Sequence, residues 1–220
     1  MNKTGKKLTG VFAPAVTPFK NDQLLTDALE GNIEKLNQTD IKGYLVLGSN
    51  GEFRSLSERE QYEVLSVFAR NKAGKVLIAG CGCESTIQTS EKTRIAADLG
   101  YDFNLVLPPH YFNKRMSEDS IIEHYERVAA SSPIPIILYN APGYAAGVEI
   151  TPQIFKHLSG HENIVGLKDS SSRGPNNFLA GIESTSKIYV LAGSTNLFYP
   201  CLHLGSVGGV LSISNFLPNQ

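Results

Sequence analysis

The sequence predicts a closed (β/α)8 barrel, on three observations. Short apolar, β-branched runs recur about eight times along the 220 residues. Amphipathic stretches of helical period separate them, and that alternation implies a parallel sheet with right-handed crossovers. Eight strands favour closure, whereas an open doubly wound sheet wants a glycine-rich phosphate turn after its first strand. The first run, "GVFAPAVTPF", is followed by prolines instead.

The candidate strands, in chain order, are "GVFAPAV", "GYLVLGS", "KVLIAGCG", "FNLVLPP", "IPIILYN", "NIVGLKD", "KIYVLAGS" and "GGVLSIS". Between them, Thr26 is placed to cap a helix carrying Leu29, Ile33 and Leu36 on one face. Ser57 with Glu60 forms a capping box before Tyr62, Leu65 and Phe68, and Ser85 with Gln88 forms a second. Ser117 opens the helix of Ile121, Ile122, Tyr125 and Val128. Thr151 followed by Pro152 reads as an N-cap with proline in the first helical position. Weaker helical signals follow Arg173 and Ser194. Residues 1–220 read as one barrel domain with no linker. The chain stops at "NFLPNQ", just past the eighth strand, so the helix expected to cover that strand is missing.

Composition excludes several classes. The apolar fraction is 41%, the charged fraction 19% and the formal net charge −1, with no basic stripe for nucleic acid. No apolar run approaches the roughly 20 residues of a membrane-spanning helix. The start, "MNKTGKKLTG", is basic, but the apolar stretch after it is broken by Pro14 and Pro18, which argues against a secretory signal. Cys81, Cys83 and Cys201 are too few for a disulfide framework and read as reduced core thiols of a cytoplasmic protein.

In such a barrel the active site lies at the C-terminal ends of the strands. Strand 2 runs into Ser49, Asn50 and Glu52; strand 4 into His110 and Tyr111; strand 5 into Tyr139, Asn140 and Tyr144; strand 6 into Lys168; strand 7 into Gly193 and Ser194. One amine and several hydroxyls are therefore expected on one rim, without metal-ligand spacing. His110, His124, His157, His161 and His203 are scattered and read as surface or packing residues.

Lys168 is the sharp feature of "ENIVGLKDSSS". Strand alternation separates it from Asp169, so it faces the barrel interior if Asp169 faces the helices. A lysine of pKa about 10.4 is almost wholly protonated at neutral pH. An apolar barrel is expected to lower that value to about 7–8, a change worth roughly 4 kcal/mol. The neutral amine attacks carbonyls and forms a Schiff base. A lysine that merely reaches to the strand end is the alternative. Tyr139 reads either as a proton relay beside that amine or as a core aromatic. The "GSNGE" turn reads either as an anion site or as a plain turn.

"GVFAPAVTPF", "GSNGEFRSLSERE", "IPIILYNAP", "NIVGLKDSS" and "VLAGS" occur in the order found in the dihydrodipicolinate synthase / N-acetylneuraminate lyase family of class I aldolases, which the chain resembles over nearly its whole length. The resemblance implies that Lys168 forms an imine with pyruvate or another 2-oxo acid and that Tyr139 relays protons. It implies that Ser49 and Asn50 hold the substrate carboxylate. A second relay tyrosine, lent across a dimer interface, falls on Tyr111 or Phe112. Gly193, Ser194 and Tyr144 complete the expected substrate contacts. The S-N pair in the strand 2 turn is similar to that of 4-hydroxy-2-oxoglutarate aldolases, whereas dihydrodipicolinate synthases carry two threonines there. Those synthases also carry an arginine five residues after the catalytic tyrosine, and this chain has Tyr144.

The sequence thus predicts a cofactor-independent, Schiff-base aldolase or lyase acting on a small 2-oxo acid, resembling 4-hydroxy-2-oxoglutarate aldolase. Dihydrodipicolinate synthase is the closest enzymatic alternative. A truncated barrel that binds a 2-oxo acid or a partner subunit without turnover is the alternative of another class. A homodimer or homotetramer is expected, with neither nucleic acid nor membrane as partner.

Overall fold

A computed structural model describes residues 2–174, 178 and 188–219. Each apolar run forms one strand: β1 (Gly10–Pro14), β2 (Gly43–Val46), β3 (Val76–Gly80), β4 (Phe103–Val106), β5 (Ile136–Asn140), β6 (Ile164–Asp169), β7 (Tyr189–Ala192) and β8 (Gly208–Val210). They pair in parallel and in chain order, and β8 closes on β1, confirming the predicted (β/α)8 barrel. Closure demands glycine at the seam. A Cβ on Gly208 would lie 2.1 Å from the carbonyl oxygen of Gly10, its register partner.

The described helices are α1 (Lys3–Leu8), α2 (Thr26–Asn37), α3 (Glu58–Asn71), α4 (Thr86–Asp98), α5 (Glu118–Ser131), α6 (Pro152–Leu158) and α7 (Thr195–His203). α2 to α6 pack by their apolar faces onto the sheet; in α3 the buried residues are Val64, Leu65, Val67 and Phe68, at helical spacing. The core joins these faces to side chains such as Phe12, Tyr44, Phe103 and Ile137. After β8 comes a 3-10 turn, Ser212–Asn215. Among the described residues no helix is long and apolar enough to cross a membrane.

The caps agree only in part. Ser57 and Glu60 make the full capping box. Ser117 and Thr151 cap as expected, and Pro152 opens α6. Ser85 accepts from the Gln88 N–H at 3.4 Å, which is half of the predicted box. The Thr26 expectation is corrected: Leu25 is the N-cap residue and makes no side-chain bond, while the Thr26 hydroxyl donates to Glu63 at 2.9 Å. A tertiary partner on α3 has outcompeted the local cap. The signal after Ser194 becomes α7, and the one after Arg173 falls largely outside the described residues.

A first helix and a hairpin went unpredicted, as did short 3-10 turns at Phe53–Ser55 and Asn113–Arg115. Asn2 caps α1 by accepting from the Gly5 N–H. Phe19–Lys20 and Gln23–Leu24 form a hairpin whose turn residues, Asn21 and Asp22, have φ of 50° and 60°. Asn and Asp tolerate that left-handed backbone, and a two-residue turn of this kind suits a hairpin.

Candidate active site

β5 and β6 build the centre. Their register sets Tyr139 beside Lys168 and Asn140 beside Asp169. Alternation along each strand then divides the four residues between two faces. On the outward face, Asn140 donates to Asp169 at 2.7 Å and accepts from the Ile150 N–H, while the Ser171 hydroxyl donates to Asp169 at 3.0 Å. Burial pushes the Asp169 carboxyl up, and these hydrogen bonds only partly offset it. This places Asp169 as predicted and corrects Asn140, which is fully buried behind the sheet and absent from the rim.

On the inward face, Lys168 and Tyr139 are each 5% exposed, and Lys168 Nζ lies 4.2 Å from the centre of the Tyr139 ring. Ser49 and Ser170 stand near the phenol as well. Burial alone would raise its pKa; the nearby Lys168 charge and the polar side chains of Ser49, Ser170 and Lys168 outweigh burial and hold the phenol below its ordinary value. A titratable phenol, a lysine and two hydroxyls thus lie close together at one end of the barrel. The sequence reading missed Ser170, although it follows Lys168-Asp169 directly.

The β2 turn forms a short 3-10 helix, Ser49–Gly51, bounded by left-handed Leu47 and Glu52. Its Gly51 and Glu52 N–H groups bond to Gly48 and Ser49 carbonyls, while the Ser49 and Asn50 N–H groups belong to the first turn and have no partner within the helix. The Asn50 amide donates to the Ser212 hydroxyl at 3.0 Å, tying the turn to the end of β8. Gly193 follows β7 and packs on Ser170: a Cβ there would fall 2.0 Å from the Ser170 hydroxyl oxygen. Ser194 beside it is half-buried.

The remaining predicted residues stand further out. Tyr144 is 62% exposed, but its side lines a cavity of about 220 Å3 together with Ser49, Arg54 and His110. Tyr111 is 76% exposed and Phe112 68%, stacked edge to face at 4.9 Å. Neither has a described hydrogen bond to the Tyr139 phenol. Arg173 pairs with Glu149 at 3.6 Å. Cys81, Cys83 and Cys201 are free and buried.

Residues 7–220 match the profile of the dihydrodipicolinate synthetase family. The chain belongs to that family. It is an enzyme of the pyruvate-dependent aldolase/lyase class. Its relatives include a 4-hydroxy-tetrahydrodipicolinate synthase of Methanothrix thermoacetophila, 37% identical over 211 residues, which cover 95% of this chain and 70% of that one. A protein described as a DapA-like lyase of Pyrococcus horikoshii is 32% identical over 96% of this chain and 73% of its own length. The crystal structure of YagE, a member of the family from E. coli K12 in complex with pyruvate, superposes with a TM-score of 0.88 at 28% identity, covering 96% of this chain and 72% of that one. The relatives' names favour the synthase, which the sequence analysis had placed second to the 4-hydroxy-2-oxoglutarate aldolase reading.

Proposed function

We propose that the chain joins or splits a small 2-oxo acid through an imine formed between Lys168 and pyruvate. The observation that carries this is the buried Lys168 amine 4.2 Å from the centre of the equally buried Tyr139 ring. The neutral amine attacks the 2-oxo carbon, and the carbonyl oxygen takes a proton from Tyr139. Water leaves from the carbinolamine with the proton from Tyr139 and one from the amine, and the positive imine nitrogen then draws the electron pair freed when C3 loses its proton or when the C3–C4 bond breaks. The Tyr139 phenolate takes the proton released, from C3 in the first case and from the 4-hydroxyl in the second, which restores the phenol. Ser49 and Asn50 N–H groups suit the carboxylate, and Gly193, which packs on Ser170, and Ser194 are read as further substrate contacts.

The names of the relatives support condensation with aspartate semialdehyde, as in 4-hydroxy-tetrahydrodipicolinate synthesis. One observation favours a second reading, cleavage of a 4-hydroxy-2-oxo acid to pyruvate: Tyr144 stands where those synthases carry an arginine, and Arg173 is engaged by Glu149. A neutral hydrogen bond in place of a charge-assisted one forgoes roughly 1–2 kcal/mol. The exposed Tyr111 and Phe112 suit an interface with a second copy, where Tyr111 would complete a relay. The same reading takes residues 1–220 as one barrel domain and the buried reduced thiols as those of a cytoplasmic enzyme.

Incubation with pyruvate and borohydride, followed by intact mass, tests the imine: an untrapped, folded protein would leave the non-catalytic barrel as the better account. Comparing kcat/KM for aspartate semialdehyde with pyruvate against kcat/KM for a 4-hydroxy-2-oxo acid separates the two reactions. A higher value for the semialdehyde, or rescue of a strain unable to make lysine, selects the synthase.

A further inference from the structure

The cavity beside Ser49 contains a charged device that the imine chemistry does not use. Its polar lining comprises Ser49, Glu52, Arg54, Ser55, His110 and Tyr144. Arg54 is the one guanidinium among them. Its Nη2 lies 3.4 Å from Glu84 Oε1, and its Cζ sits 4.9 Å over the Phe53 ring. No other carboxylate pairs with it among the described residues. A guanidinium has five N–H donors, so a second planar acceptor can still be met.

Glu84 is a brace. Its Oε2 accepts the backbone N–H groups of His110 at 2.8 Å and Tyr111 at 2.9 Å, and its Oε1 lies 3.3 Å from His110 Nδ1, which also lies 3.0 Å from the Pro108 carbonyl. Burial would raise the Glu84 carboxyl, but these N–H groups, His110 and Arg54 hold it below its ordinary value. The carboxylate therefore stays ionised and joins the β2 loop to the β4 loop, with Arg54 paired to it on the cavity wall. Glu52 is the one carboxylate on that lining, and Arg54 stands two residues from it along the turn.

We propose that Arg54, held by Glu84, receives a second carboxylate of the substrate and makes the enzyme selective for 2-oxo acids that carry one. The inference rests on the imine reading above. Ser49 belongs both to the turn read as the first carboxylate's site and to the lining of this cavity, and Tyr144, in the place of the synthases' arginine, lines it too, so a substrate chain that reaches this cavity meets Arg54. Arg54 acts on binding and takes no part in proton transfer.

Borohydride trapping at graded concentrations tests it without requiring turnover. 2-Oxoglutarate and 2-oxopentanoate have the same chain length and differ in the distal carboxylate. Wild type is expected to be half-trapped at a lower concentration of 2-oxoglutarate. Arg54→Ala should collapse the ratio of the two half-saturating concentrations by about 10–100-fold, the range of one lost charge-assisted bond. Arg54→Lys should retain part of the preference, since it keeps the charge without the fork. Glu84→Gln should erode it less than Arg54→Ala does. A wild type without preference, or an Arg54→Ala protein that keeps it, overturns the assignment while leaving the imine intact. Failure of wild type to trap pyruvate at all removes the imine reading, and this inference with it.

Discussion

Replacing Tyr139 with phenylalanine isolates one hydroxyl. The ring 4.2 Å from Lys168 Nζ stays, so the cation–π contact and the packing survive. What is lost is the oxygen, with Ser49, Ser170 and Lys168 near it. If that oxygen only organises the site, the cost is one or two net hydrogen bonds, about 1–2 kcal/mol of stability, or a melting-temperature drop of roughly 2–8 °C for a chain of this size. Ser49 and Ser170 are half-buried and can turn to water. If the oxygen carries protons, kcat should fall by about 10²–10⁴, equivalent to roughly 3–5 kcal/mol of barrier, with KM changed far less. The pH profile adds a second readout. Acid action needs the protonated phenol, and Tyr139 is held below the ordinary phenol value, so wild-type kcat/KM should decline on an alkaline limb below pH about 10. Tyr139→Phe should lose that limb. Steady-state assays across pH, with thermal melts as the folding control, measure both effects. A kcat loss under tenfold with the limb intact would make Tyr139 a packing residue and refute the relay.

Lys168→Ala and Lys168→Arg should each abolish borohydride trapping, because a guanidinium stays protonated; an adduct mapping to another lysine would reassign the imine. Activity should survive EDTA, since the imine nitrogen itself accepts the electron pair; loss on chelation with recovery on a divalent ion would contradict that chemistry. His124 is buried, with Nδ1 2.9 Å from the Thr86 hydroxyl and Nε2 unpartnered among the described residues, and burial lowers its pKa to about 4. Below the unfolded value of about 6.5 the unfolded chain gains a proton that the folded one refuses. Stability is therefore complete above pH 6.5 and should fall by up to about 3 kcal/mol as pH drops to 4. Urea titrations should show this slope in wild type and its disappearance in His124→Gln. Ser57→Ala should destabilise by about 1 kcal/mol through the lost capping box, and Thr26→Ala should cost no cap energy because its hydroxyl serves Glu63.

The barrel and the inward turn of Lys168 were legible in the chain because both rest on local periodicity, whereas its place beside Tyr139 is set by the β5–β6 register. Eight apolar runs separated by helical repeats permit few topologies, and period-2 alternation along "NIVGLKD" turns Lys168 away from Asp169 whatever the partners are. Serine before helix-period residues marked the starts of α3, α4 and α5 for the same reason: the cap and its N–H lie three residues apart. Contacts distant in sequence were not legible. Thr26 meets Glu63 across 37 residues, and Asn140 meets Asp169 across 29. Asn140 ends its strand like a rim residue, yet alternation from inward Tyr139 turns it to the helix side, where the β5–β6 register, a property of two strands together, gives it Asp169 as partner. Arg54, Glu84 and His110 come from three different strand-end loops, and only barrel closure brings a guanidinium, a carboxylate and an imidazole to one wall. Local spacing chose the elements and the face that Lys168 takes; strand register and the packing of loops separated along the chain decided what surrounds it, because those distances depend on closure and register that no single segment carries.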